Sequence, residues 1–94
     1  MAVSQVRASH ILVNTEQEAN DILAQLKAGK KFSDLARQHS TCPSGKEGGD
    51  LGFFRRGMMV REFEEAAFSM KKGQTSAPVR TPFGYHLIMV TDTK

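Results

Sequence analysis

Two histidines are the first candidates for chemistry in this sequence, because His10 and His86 each lie in the middle of an apolar segment rich in β-branched residues. A lone histidine among aliphatic residues is more often a satisfied core residue than a catalyst. Two of them, in terminal strands that could be neighbours in one sheet, weaken that interpretation. Neighbouring imidazoles can share a hydrogen bond in which one ring nitrogen donates and the other accepts, and both rings then stay neutral. A neutral hydrogen-bonded histidine pair and two separate core histidines are therefore both open interpretations of the residues alone.

Polar side chains elsewhere in the chain could anchor such a pair, and Thr81 and Cys42 are the candidates. A cysteine beside a histidine also suggests a thiol hydrolase with an activated thiolate. That hypothesis requires an oxyanion hole and an Asn or Asp that orients the histidine, and the sequence identifies neither. Four large apolar residues near glycines or helix starts could line a concave surface or could simply pack in the core: Leu51, Met59, Phe63 and Phe83.

Metal, nucleotide and nucleic-acid binding have weaker support. His10, His39, Cys42 and His86 could ligate a metal, but they do not form the closely spaced pairs typical of zinc sites. The phosphate-binding pattern GxxxxGK[ST] is absent. The segment Phe53-Phe54-Arg55-Arg56 could stack on bases and contact phosphates, yet the aromatic and basic strand signature of an RRM is missing. We therefore expect no metal and no cofactor, and nucleic-acid binding is a weakly supported alternative.

The elements that must position the candidate residues follow from apolar periodicity and turn residues. The predicted helices cover 15–29, 33–39 and 60–70, and the predicted strands cover 6–13, 51–54, 77–80 and 85–91. Thr15 and Glu18 form a capping box at the first helix, and Ser33 is the expected cap of the second. Pro78 places its strand at an edge of the sheet.

Each candidate histidine shares its strand face with aliphatic residues. Five of the eight glycines lie between residues 44 and 57, which indicates close backbone packing around Leu51. The order β-α-α-β-α-β-β, without an internal repeat or a linker, predicts an α+β fold in which helices pack on a small sheet.

Length and charge bound the remaining possibilities. The chain has 94 residues, which is enough for one compact domain over 1–94 and too few for two cores. Its net charge of +3 comes from charges that alternate in sign, so an anionic partner is only weakly favoured. We expect neither a membrane span nor a signal peptide, and the single Cys42 fits a reducing, cytoplasmic location.

Five sequence blocks, taken together, resemble the parvulin family of peptidyl-prolyl cis/trans isomerases. They follow the family's order over nearly the whole chain and are Ala8-Ser9-His10-Ile11-Leu12-Val13, Phe32-Ser33-Asp34-Leu35-Ala36, Gly48-Gly49-Asp50-Leu51-Gly52, Phe63-Glu64-Glu65-Ala66-Ala67-Phe68 and Phe83-Gly84-Tyr85-His86. Any one block is a weak signal, but five blocks at matching intervals are highly specific. The resemblance implies a four-stranded antiparallel sheet flanked by about three to four helices.

The resemblance also implies a role for each candidate residue. His10 and His86 correspond to the paired central histidines, with Thr81 hydrogen-bonded beside them, and Cys42 occupies a position that is Cys or Asp in different parvulins. The residues that match the walls of the proline site are Leu51, Met59, Phe63 and Phe83.

This sequence departs from the family in two places. Parvulins that act on phosphorylated substrates carry a long basic loop after the first strand, whereas here only Asn14 separates Val13 from the cap at Thr15. A requirement for phosphoserine or phosphothreonine before proline is therefore not expected. The second departure is Val60-Arg61-Glu62 before Phe63, where relatives often have a proline.

The resemblance implies that the chain is an isomerase of X–Pro bonds that assists protein folding, with proline-containing polypeptides or unfolded chains as partners. We expect a monomer, since nothing in the sequence indicates a dedicated dimer surface. An alternative is a binding module with little turnover that holds proline-containing or unfolded segments, since a fold does not guarantee an activity.

Overall fold

The computed structural model describes residues 3–94 and shows an α+β fold with the predicted order of elements. The helices are α1 (Glu16–Lys27), α2 (Phe32–His39) and α3 (Arg61–Ser69), with a 3-10 helix at Pro43–Glu47, and the strands are β1 (Gln5–Val13), β2 (Asp50–Arg55), β3 (Val79–Thr81) and β4 (Gly84–Thr93). The four strands form one antiparallel sheet in the order β2-β1-β4-β3. The predicted sheet and the number of helices are confirmed.

The two histidine strands are the central pair of the sheet. β1 and β4 run antiparallel, with His10 opposite Ile88 and Leu12 opposite His86. Side chains two positions apart on a strand point to the same face, so this register places both histidines on one face. The residues alone left open whether these two strands are neighbours, and the structure confirms the adjacency that the resemblance implies.

The sheet carries a buried core on each face, which the sequence did not predict. On one face Ile11, Val13 and Leu87 pack against α1 and α2. On the other face Val6 and Ile88 belong to a second core that includes residues of α3. Because both faces are covered, the histidines lie under α3 and away from bulk water.

The helix starts differ in part from the predictions. Thr15 caps α1, since its Oγ1 accepts from the Glu18 amide at 3.2 Å. The Glu18 carboxylate, however, accepts from the Thr15 hydroxyl at 3.1 Å, and this bond replaces the second half of the capping box. The prediction that Ser33 caps α2 was wrong: the helix begins at Phe32, whose burial in the core draws it into the first turn, and Lys31 is the cap residue.

One glycine brings the 3-10 helix against the first histidine. A Cβ on Gly49 would lie 2.3 Å from the His10 carbonyl oxygen, and Gly49 has a φ of +86°, so no other residue fits without strain. Its carbonyl oxygen accepts from the His10 amide at 2.9 Å. The glycine density between β1 and β2 thus serves the close backbone packing that the composition indicated.

The loop between β2 and α3 is held by a carboxylate of the helix that it precedes. Glu64 on α3 accepts from the amide of Gly57 and lies 4.0 Å from Arg56. This anchors the segment that carries Met59 and Val60 onto the α3 face of the sheet. Among residues 3–94, no helix combines the length and the apolar character that crossing a bilayer requires.

Candidate functional site

The two candidate histidines are in direct contact inside the protein. Nδ1 of His10 and Nδ1 of His86 are 3.0 Å apart, and the two side chains are only 5% and 4% exposed. The rings are nearly parallel, with an interplanar angle of 19°. A hydrogen bond between two Nδ1 atoms requires one to be protonated and the other not, so the two rings share the kind of bond that two neutral imidazoles can form.

A hydrogen-bonded group lies beyond each ring. Thr81 Oγ1 is 2.7 Å from His86 Nε2, and it also accepts from the amide of Phe83 at 3.2 Å. On the other side Ser44 Oγ is 3.1 Å from His10 Nε2 and 3.2 Å from the sulfur of Cys42. The side chains of five residues are therefore joined in one row, which runs Cys42, Ser44, His10, His86, Thr81.

Ser44 is the member of this row that sequence reasoning missed. It stands two residues after Cys42, between the predicted helix 33–39 and the predicted strand 51–54. The 3-10 helix at Pro43–Glu47 turns the chain so that the Ser44 hydroxyl lies between the thiol and the first histidine. A hydroxyl two positions from a candidate cysteine was the only available signal.

An apolar cavity of about 410 Å³ opens over the histidine pair. All four apolar candidates line it, as do His10, His86 and Cys42, and its further walls come from residues that were not predicted: Leu12, Thr41, Pro43 and Val60. Thr81 is not among the lining residues and lies behind His86. The structure thus brings all eight predicted site residues together, seven at the cavity and one in the layer beneath.

Phe63 connects the cavity to the histidine pair. Its ring stands edge-on to both imidazoles, at 5.6 Å from the centroid of His10 and 5.4 Å from that of His86. Phe63 is also buried in the core under α3, in contact with Phe54. Phe83 lies at the opposite extreme, with 66% of its side chain exposed at the rim.

Burial controls the charge of the pair. Desolvation, followed by repulsion from the neighbouring imidazole, lowers the pKa of His10 from 6.5 to about 4. Desolvation also lowers the pKa of His86. Both rings are therefore neutral near pH 7, and each offers one donor and one acceptor to the row of hydrogen bonds.

The other candidate ligand sets do not come together. Among residues 3–94, no three His, Cys, Asp or Glu side chains are placed to hold a metal ion, and His39 lies instead in an exposed depression beside α1. The aromatic and basic segment is also split. Phe54 is buried, whereas Phe53 lies 4.2 Å beneath the ammonium group of Lys94.

The free energy of unfolding should therefore decrease as the pH is lowered, because of the buried histidines. Between about pH 6.5 and pH 4 the imidazole of His10 is protonated in the unfolded chain but neutral in the folded one, so each step to lower pH favours the unfolded state. The slope is at most about 1.4 kcal/mol per pH unit for each histidine. Urea unfolding at pH 7.5, 6 and 5 measures this slope, and we expect a smaller slope in the variant His10→Asn. A His10 ring that titrates near 6.5 in an NMR titration contradicts this assignment.

Comparison with known proteins agrees with this geometry. The family model described as Rotamase, the PPIC-type PPIase domain, matches residues 7–92. The chain is 53% identical over 89 residues to the foldase protein PrsA of Geobacillus kaustophilus, an alignment that covers 94% of this chain and 32% of that protein. The chain thus spans about a third of the length of the curated relatives that it matches.

Solved structures share the fold as well. The crystal structure of the peptidylprolyl isomerase PrsA from Bacillus anthracis has a TM-score of 0.95 at 47% identity and covers 98% of this chain and 43% of its own. The solution structure of NmPin, the parvulin of Nitrosopumilus maritimus, has a TM-score of 0.87 at 42% identity and covers 98% of this chain and 100% of its own. The chain belongs to the family of PPIC-type peptidyl-prolyl isomerase domains, the parvulins.

Proposed function

We propose that the chain catalyses cis/trans isomerisation of X–Pro peptide bonds in polypeptides and so assists their folding. The observation that carries the proposal is the apolar cavity whose floor is the neutral histidine pair. Family membership adds support, because relatives that match 94% and 98% of this chain are PrsA proteins whose names describe a foldase and a peptidylprolyl isomerase.

The reaction requires rotation about an amide but breaks no covalent bond. Resonance between nitrogen and carbonyl gives a barrier of ~18–20 kcal/mol, and uncatalysed exchange takes tens to hundreds of seconds. A catalyst must bind the twisted amide, in which this resonance is lost, more tightly than either planar form. Each tenfold acceleration requires about 1.4 kcal/mol of such preference.

The cavity offers that preference through its apolar walls. The side chains of Phe63, Met59 and Leu51 enclose a volume that suits a proline ring. Phe83 lies at the exposed rim, where the substrate polypeptide would enter the cavity. A ring held there stays fixed while the residue before it rotates. Removing water from the amide also disfavours the more dipolar planar forms relative to the twisted one.

The polar row supports this site without covalent chemistry. Thr81 and Ser44 hold the two imidazoles from either side, so the floor of the cavity is rigid before substrate binds. Cys42 contributes a sulfur at the cavity wall. We assign the histidines a structural role and Cys42 an electrostatic and hydrogen-bonding one, since amide rotation needs no nucleophile.

A monomer in a reducing, cytoplasmic compartment is the proposed state of the chain. Cys42 is the one cysteine of the sequence, and it lines the cavity, so a disulfide through its sulfur would obstruct the proline site. Proline-containing or unfolded polypeptides are the proposed partners. Light scattering and cell fractionation measure the oligomeric state and the location.

Trimming the cavity wall should reduce turnover. Met59→Ala removes a half-buried side chain from the wall, and we expect kcat/KM on a short X–Pro peptide to fall about tenfold, the effect of about 1.4 kcal/mol of lost apolar contact. Exchange NMR measures it. Met70→Ala is the matched control, because Met70 is also half-buried but lies outside the cavity. Phe63→Ala should have a larger effect and, as a core truncation, should also destabilise by about 3–5 kcal/mol.

Unchanged kinetics in both cavity variants would contradict the assignment of the proline site. The same experiment decides between the enzyme and the binding module. Peptide-induced shifts at the cavity without faster exchange in the wild type would identify a module that holds proline-containing segments and would remove the proposed activity.

Phosphorylation of the residue before proline should give no advantage. None of the eleven residues that line the cavity is Lys or Arg, and both lining histidines are neutral near pH 7. We expect kcat/KM for a phosphoserine-proline peptide to be no higher than for the serine-proline peptide, with a glutamate-proline peptide as the charge control. A preference of tenfold or more for the phosphorylated peptide contradicts the proposed substrate class.

Replacement of Cys42 by Asp should preserve most of the activity. A carboxylate can accept the Ser44 hydroxyl proton where the sulfur now does, so we expect kcat/KM within about tenfold of wild type. Cys42→Ala, which offers no acceptor, should lose more. Exchange NMR on folded variants tests this, and complete loss in Cys42→Asp would show that the thiol has an obligatory role.

A further inference from the structure

The donor and the acceptor of each hydrogen bond in the row can be assigned by starting at the Thr81 end, where one bond has a known direction. The backbone amide of Phe83 can only donate, and Thr81 Oγ1 accepts from it. Thr81 then gives its own proton to Nε2 of His86, because among residues 3–94 this buried hydroxyl has no other partner that could accept it. In the reverse orientation that proton would be buried without an acceptor, which is strongly disfavoured.

The remaining protons follow from the neutrality of the two rings. His86 accepts at Nε2 and therefore carries its proton on Nδ1, which donates to Nδ1 of His10. His10 in turn carries its proton on Nε2 and donates it to Ser44 Oγ. Ser44 is left with one hydroxyl proton and one neighbour that can accept it, the sulfur of Cys42. Every N–H and O–H donor in the row then faces an acceptor, and the thiol of Cys42 ends the row as an acceptor.

The backbone holds Ser44 in this position independently of any substrate. The carbonyl oxygen of Ser44 accepts from the Gly49 amide at 2.8 Å, and the carbonyl oxygen of Gly49 accepts from the His10 amide at 2.9 Å. Gly45, the next residue, is buried so closely against Ala36 that a Cβ would lie 2.9 Å from the Ala36 carbonyl oxygen. Main chain and side chain of Ser44 are thus both tied to His10.

We infer that Ser44 is a positioning residue for the reaction: its hydroxyl accepts the Nε2 proton of His10 and donates its own proton to Cys42, which fixes the thiol at the cavity wall. The sulfur is engaged as an acceptor, so the thiol proton does not point at Ser44 and is free for an acceptor in the cavity. Ser44 acts through Cys42 and His10, since it is not one of the residues that line the cavity.

The test compares Ser44→Ala with Ser44→Thr, which keeps the hydroxyl, and with Ser76→Ala as control. Ser76 Oγ accepts from the Ile88 amide and lies at a different cleft, so its loss removes one hydroxyl elsewhere. NMR follows the Nε2 proton of His10, and infrared spectroscopy follows the thiol stretch, which belongs to Cys42 alone. Exchange NMR on X–Pro peptides gives kcat and KM.

We expect Ser44→Ala to expose the His10 Nε2 proton to faster solvent exchange, to shift the thiol band and to lower kcat about tenfold, the effect of one ordinary hydrogen bond, with KM little changed because the apolar walls remain. Ser44→Thr should restore all three observables, and Ser76→Ala should move none. Loss of stability without these changes would reduce Ser44 to a structural residue and overturn the inference.

The wild type provides a check that needs no variant. An NMR spectrum of the wild type that shows no proton on His10 Nε2 would mean that the hydrogen bonds of the row run in the opposite direction. That result would overturn the inference even if Ser44→Ala fails to fold. The kinetic part rests on the proposed isomerase function, whereas the spectroscopic part does not. A wild type that does not catalyse exchange removes the function, and altered proton and thiol signals in Ser44→Ala would still support the positioning role of Ser44.

Discussion

The bond between the two buried imidazoles is the constraint on which the rest of the site depends. Water is largely excluded from His10 and His86, so each ring must be neutral and each ring nitrogen must find a partner. That requirement explains a hydroxyl at either end of the pair, from Thr81 and Ser44. The register of the two central strands meets that requirement, since it brings both rings to the same face.

The site and the core share side chains, and this couples function to stability. Phe63 is a wall of the cavity, an edge-on neighbour of both histidines and a member of the core under α3. A catalyst of amide rotation needs rigid, dry walls, and close packing around a buried aromatic ring provides both. Exposed residues of the site, such as Phe83 at the rim, line the cavity without being part of the core.

Much of this architecture could be predicted because its signals are local. Apolar alternation in the first and last strands predicts the strand face on which each residue lies, and the structure confirms it for Ile11 and Ile88. Helix starts were less predictable. Ser33 has the chemistry of a cap, but the burial of Phe32 one residue earlier decides where α2 begins, and burial depends on tertiary packing.

By itself the sequence determined the strand faces, the order of elements and, through its resemblance to the parvulins, the family to which the chain belongs and the pairing of its two histidines. Tertiary structure alone decided that Ser44 lies between His10 and Cys42, because a 3-10 helix and a glycine contact determine that approach, and no pattern of residue types encodes it. The depth of the cavity and the neutrality of its floor are likewise tertiary properties. Both arise from burial, which is a sum over residues distant in the chain.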